Sequence, residues 1–326
     1  MKRVKIAAPH ELTVIEDDTP QPQAGEVLLA IRTIGICGSD LHVYEGQHPF
    51  VTYPVLPGHE VCGDIIAVGA GVDPTLIGKK AVIEPSLPAG KLPHFGEGRY
   101  NISSDLRVMG FQAPGAMAEQ FAVPLNRIHL LPEGFSDDLG ASVEPTAVAV
   151  HAVRLVSGIA GLRIGVIGAG AIGLLTAQVA KTYGAAQVTI ADLDPARLDV
   201  AMTLGLTATP QLQAGEYDVV FECVGVQASI RSALLACTKG ARVVVMGVFG
   251  KDASIPMGII QDWELQLMGS LMYTGDDYRE AIRLLGESLV RVDCIITHRY
   301  PLAQAEAAFH KALERGQAIK VLLETI

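Results

Sequence analysis

The chain reads as an α/β protein: a doubly wound, parallel-sheet unit preceded by an irregular, mainly-β module. Three observations predict this. Residues 163–192 run strand, glycine-rich turn, helix, strand, acid. Beyond them, strand-like runs at 217–221 and 242–246 flank a helical run at 228–236, the second half of such a sheet. Ahead of them, residues 1–35 hold short β-like runs broken by Gly and Pro, with no long helix.

The central stretch is the most informative. Residues 164–167 form an apolar strand, and Gly168-Ala169-Gly170-Ala171-Ile172-Gly173 is a G-x-G-x-x-G turn. Gly168 permits the tight turn, Gly170 lets the backbone approach a pyrophosphate, and Gly173 lets helix and strand pack closely. The free amides and positive dipole at the helix start, where Ile172 stands, favour phosphate. Leu174, Leu175, Ala177, Val179 and Ala180 supply the helix's apolar positions, and Lys181 and Gly184 close it. A second strand ends at Asp192, 19 residues past Gly173, where an acid bonds a ribose 2′-hydroxyl. The uncharged run 164–180 approaches membrane-span length, but its glycines fall at the turn and a strand follows at once.

The whole chain narrows the function classes. Its 326 residues suffice for two domains. A net charge of −10 excludes a general nucleic-acid or anionic-membrane binder. The five cysteines form no C-x-x-C and are odd in number, against a disulfide framework and for a reducing compartment. The N-terminus lacks a signal-peptide core, so a cytoplasmic protein is expected.

Residues 35–46 read GICGSDLHVYEG, with Cys37, Ser39, Asp40 and His42 close together. Pro57-Gly58-His59-Glu60 follows. Thiolate, imidazole and carboxylate are the ligand types of zinc, and three protein ligands with an open position make a catalytic site. Singly, each has an ordinary structural role: a buried Cys, a loop His, a surface acid.

Taken in order, GICGSDLHVYEG, PGHE and GAGAIG resemble the zinc-dependent medium-chain dehydrogenases, in the sorbitol (polyol), threonine and butanediol branch. The similarity continues through ASVEPTAVAVHAV (141–153), ADLDPARL (191–198), FECVG (221–225) and ITHRYPLAQAEAAF (296–309), and so spans nearly the whole chain. It implies a Rossmann NAD-binding domain at 148–275, inserted in a GroES-like catalytic domain at 1–147 and 276–326. It implies Cys37 and His59 as zinc ligands, with Glu60 completing the shell. Glu144 either ligates the zinc or bonds its water; which glutamate is bound directly stays open. Ser39 and His42 resemble a relay carrying the substrate proton to solvent, as a neutral histidine suits. Arg197 matches an arginine over the adenine end. Met246, Gly247 and Val248, with Met272 and Tyr273, match backbone that flanks the nicotinamide.

The same resemblance exposes a loss. Family members hold a second, structural zinc with four cysteines. The corresponding positions here are Ala89, Leu92, Phe95 and Ser103, none of them a usual zinc ligand, and His94 alone is no site. One catalytic zinc per chain is therefore expected, with the lobe held by packing through Leu92 and Phe95 or partly mobile. Asp192 favours NAD over NADP because it would repel a 2′-phosphate. Met272 stands where polyol dehydrogenases place an arginine. The expected wall residues Tyr44, Phe50, Met109 and Phe111 are largely apolar, which points to a less hydroxylated secondary alcohol. A homo-oligomer, dimer or tetramer, acting on a small-molecule alcohol is expected. The alternatives are a threonine-type dehydrogenase, a metal-free NADPH reductase of the same superfamily and a non-catalytic NAD-binding protein.

Overall fold

A computed structural model describes residues 1–93, 98–314, 316 and 318–325. The chain forms two compact units: Met1–Glu144, Thr274–Gly286 and Ile296–Ile326 in one, Pro145–Tyr273 and Glu287–Ile295 in the other. Among the described residues no helix is long and apolar enough to cross a membrane.

The second unit holds a six-stranded, all-parallel sheet. Counted in chain order its strands lie 3-2-1-4-5-6: Thr207–Thr209, Gln187–Ala191, Arg163–Ile167, Tyr217–Glu222, Cys237–Val245 and Gln266–Gly269. That is the doubly wound order, in which ligands bind beyond the carboxyl ends of the strands. Helices Ala171–Thr182 and Gln227–Ala236 pack on it. Ile164, Val166, Ile190, Val219 and Val243 are fully buried, the near-continuous apolar pattern of strands covered on both faces. The fifth strand starts earlier than the apolar run at 242–246 suggests, because Cys237 pairs with Tyr217 before an irregularity restores the register at Val219–Arg242.

The first unit is organised on the strand Glu26–Ile36. One edge pairs antiparallel with Glu60–Val68. The other edge is shared by Gln120–Pro124 and, at its C-terminal half, by the last strand of the chain, Lys320–Glu324. Leu29, Ile31, Ile34, Ile65, Met117 and Phe309 meet in one core, each worth about 1.5–3 kcal/mol in buried apolar surface.

Packing through Leu92 does not hold the lobe that lacks cysteines: that side chain is 51% exposed. Phe95 and His94 lie outside the described residues. The lobe is instead anchored on the buried carboxylate of Glu84. Ser86 and Tyr100 donate their hydroxyls to it at 2.9 and 2.6 Å, and Arg127 donates at 3.2 Å. His129 Nε2 lies 2.8 Å from its other oxygen. Tyr100 in turn accepts from the Gly275 amide, and Tyr278, stacked on His129, donates to the Ile83 carbonyl. Backbone bonds from Ser104 to Lys91 and from Asp105 to Ala89 keep the two limbs of the lobe together.

Burial works to raise the Glu84 pKa, but the bonds from His129, Tyr100 and Ser86 and the Arg127 charge outweigh it and hold it below the usual value. Glu84 therefore stabilises the fold fully above the ordinary carboxylate pKa and loses that contribution as pH falls through its lower folded-state value. Glu84→Gln should cost about 3 kcal/mol in denaturant unfolding at neutral pH, with the gap to wild type closing in acid. Equal stability at neutral pH would show that the lobe is held otherwise.

Candidate metal centre and dinucleotide pocket

The strand pairing builds the candidate metal centre. Cys37 follows the end of strand Glu26–Ile36 and caps the short helix Gly38–Tyr44; His59 precedes the start of strand Glu60–Val68. Because these strands are antiparallel neighbours in which Gly35 faces Glu60, the end of one motif meets the start of the other. One donor atom each from Cys37, His59 and Glu60 lies within 4.8 Å of the others. Cys37 is half-buried; His59 and Glu60 are buried. Thiol, imidazole and carboxylate so placed fit a zinc ion.

Asp40, wholly buried, orients this group. Its carboxylate accepts from the Cys37 amide at 3.0 Å and lies 3.6 Å from His59 Nδ1. Burial raises the Asp40 pKa, partly offset by His59. Burial works to lower the His59 pKa, but Asp40, Cys37 and Glu144 outweigh it, and it rises well above the usual value. Glu144, in the first turn of helix Val143–Leu155, is buried and acts electrostatically on His59, but lies outside the group within 4.8 Å. Ser39 and His42 are half-buried, three residues apart on helix Gly38–Tyr44.

Sequence reasoning missed Lys320. Its ammonium donates to both Glu60 oxygens, at 2.7 and 2.6 Å, and to the Ile36 carbonyl at 3.2 Å. Burial works to lower its pKa, but Glu60, Cys37 and Glu144 outweigh that and hold it raised. The only signal was a lysine opening an apolar C-terminal strand. The pair needs Gly35: a Cβ there would lie 2.0 Å from Glu60 Oε2.

The expected wall residues separate. Phe111 contacts the His59 ring at 4.9 Å and stacks on His48 at 4.8 Å. His48, its pKa lowered to about 4 chiefly by burial, is neutral near pH 7. Phe50, 72% exposed, shares a cavity of about 300 Å³ with Phe111 and Gln112. Tyr44 is not a wall residue. It is packed in the core against Phe309, with its hydroxyl 3.0 Å from His310 Nε2. Met109 is buried in the same core.

In the second unit a cavity of about 620 Å³ is lined by Gly168, Gly170, Asp192 and Arg197, among others. A Cβ on Gly173 would lie 1.7 Å from the Gly168 carbonyl oxygen, so the turn requires that glycine, whereas the space beside Gly170 is open. Open space at the turn fits a pyrophosphate. Asp192 also closes the turn, accepting from the Ala169 amide at 2.7 Å and the Asp194 amide at 2.9 Å. Arg197 stands 3.8 Å from it. Ile172, Gly173, Met246, Gly247, Val248, Met272 and Tyr273 do not line this cavity, and the Tyr273 side chain is fully buried.

Comparison with known proteins agrees with this geometry. The alcohol dehydrogenase GroES-like domain matches residues 23–133, and the zinc-binding dehydrogenase domain residues 171–287. The D-xylulose reductase of Saccharomyces cerevisiae is 31% identical over 98% of this chain and 97% of its own. The chain belongs to the zinc-type medium-chain dehydrogenases. Within that family, the sorbitol dehydrogenase of Gallus gallus is 32% identical over 94% of this chain and 91% of its own. An alcohol dehydrogenase from Escherichia coli CFT073, solved with NADH, superposes with a TM-score of 0.92 at 29% identity, covering 99% of both chains. A zinc-binding dehydrogenase from Sinorhizobium meliloti 1021 bound to NADP gives 0.91 at 30% identity, covering 99% of this chain and 98% of its own.

Gly35→Ala should lower the melting temperature and the zinc content together. Glu60, buried and held by Lys320, cannot yield cheaply, and overpacking of this kind costs about 1–3 kcal/mol. A stable, fully metal-loaded Gly35→Ala protein would contradict this placement of Glu60.

Proposed function

We propose that the protein oxidises a secondary alcohol or polyol to the ketone, with hydride transfer to NAD, at one zinc ion per chain. The observation that carries this is the group of Cys37, His59 and Glu60 in a chain of this family. When bound, zinc supplies Lewis acidity at the alcohol oxygen and the nicotinamide supplies the hydride acceptor. Cys37 and His59 hold the metal, and Glu60 or Glu144 completes the shell.

The chain's own groups do the rest. The Ser39 hydroxyl relays the substrate proton to His42, one helical turn on, which passes it to solvent. Phe111 lays an apolar ring beside His59, backed by the stacked His48. Asp192 takes the ribose hydroxyls and disfavours a 2′-phosphate. Arg197 borders the adenine end. The backbone at Met246, Gly247 and Val248, and at Met272 and Tyr273, flanks the nicotinamide. Ala89, Leu92, Phe95 and Ser103 provide no second zinc site. The relatives named as sorbitol dehydrogenase and D-xylulose reductase support a polyol-type substrate. Met272 in place of an arginine, with the apolar Phe111 face, favours a less hydroxylated member of that class, such as a vicinal diol. A dimer or tetramer is the expected assembly.

Cys37→Ser or His59→Ala should each abolish zinc uptake, read by elemental analysis, and activity. NAD binding, read by fluorescence, should persist because the dinucleotide pocket is lined by a different unit. Full turnover by either metal-free variant would remove zinc from the reaction.

A further inference from the structure

Lys320 is the only lysine or arginine among the buried described residues. Around it stand Glu60 and Asp40, both without exposed surface, the buried Glu144 and the half-buried Cys37. A cluster of buried acids is costly unless a cation balances it. An ammonium has three N–H donors, and Lys320 places two on Glu60 and one on the Ile36 carbonyl. It reaches them because Lys320–Glu324 is the neighbour of Glu26–Ile36 on the edge opposite Glu60. The glycine between them leaves the room, with Gly35 paired to Glu60 on one side and Leu322 on the other.

We propose that Lys320 is the metal site's resident cation, a positioning residue that holds Glu60 at the site, balances its charge, and thereby sets how tightly the chain takes zinc. This rests on the zinc reading of Cys37, His59 and Glu60. Two consequences follow. The metal-free chain keeps a balanced interior, because Glu60 is paired whether or not the metal is bound. Zinc, in turn, enters a site that already contains a positive charge, so binding is weaker than the donor set alone would give and the metal stays exchangeable. Without the Lys320 charge, Glu60 would have only the metal to balance it. Zinc would then bind more tightly, and the metal-free form would lose more stability than the loaded form.

The test uses the full chain, stripped and reloaded with zinc. Affinity is read by competition with a chromophoric chelator, and melting temperatures are taken for both forms. Lys320→Met should bind zinc roughly ten- to a hundredfold more tightly, the Coulomb scale for a unit charge several ångströms away at an effective dielectric of about 20. Its gap in melting temperature between loaded and metal-free forms should widen. Lys320→Arg, which keeps the charge, should stay near wild type in both. If Lys320→Met binds zinc no more tightly than wild type and both forms lose stability equally, Lys320 is only a packing residue and the proposal is overturned. Should Lys320→Met not fold in either form, Lys320→Gln must show the same tightening, and wild-type affinity in it overturns the proposal. A wild-type chain that takes up no zinc overturns the metal reading itself, a result distinct from a zinc-binding wild type with an unaltered variant.

Discussion

Glu60 has no exposed surface, and a buried carboxylate must be matched by a cation and by donors to both oxygens. In this chain the match spans 260 residues of sequence, from Glu60 to Lys320, across a single glycine. The requirement shapes the first unit. It needs strand Glu60–Val68 on one edge of Glu26–Ile36 and the chain's last strand on the other. Those pairings also bring His59 beside Cys37, where Asp40 on helix Gly38–Tyr44 meets both. The candidate metal centre is thus a by-product of how three strands meet at Gly35.

Two other buried glutamates do comparable work. Glu84 gathers Ser86, Tyr100, Arg127 and His129 and so anchors the lobe with hydrogen bonds. Glu222, at the end of strand Tyr217–Glu222, accepts from the Val224 and Gly225 amides with its side chain and from Met246 and Gly247 with its carbonyl. It ties together the loops that follow two neighbouring strands of the parallel sheet. In each case the sequence shows only an acid next to an apolar run. At Glu60 and Glu84 the partners come from distant segments, Lys320 for the one and Tyr100, Arg127 and His129 for the other, whereas Glu222 takes its side-chain bonds from amides two and three residues on.

This explains what could and could not be read in advance. The glycine-rich turn, its helix and Asp192 are local, so their spacing carries their geometry, and the 3-2-1-4-5-6 sheet follows from strand–helix alternation. Cys37, His59 and Glu60 were legible because two short motifs hold them. Lys320 and Glu84 were not, since Glu60 for the one and Tyr100, Arg127 and His129 for the other lie far off in sequence. Tyr44 was misplaced for a related reason. An aromatic residue just after a chemistry-bearing motif looks like a pocket wall, yet its helix turns it onto Phe309 and His310 in the core. Leu92 stands where a zinc ligand would be and invites a packing role, but its side chain is exposed and the hydrogen-bonded centre at Glu84 anchors the lobe.

The proposed dehydrogenase uses one zinc per chain and NAD as its oxidant. The most direct measurement joins elemental analysis of the purified chain with NAD and NADP reduction over sorbitol, xylitol, a vicinal diol and threonine. The expected result is one zinc per chain and turnover of a diol or polyol with NAD well ahead of NADP. Two zinc ions per chain, preference for NADP, or turnover undiminished after zinc is stripped would contradict it.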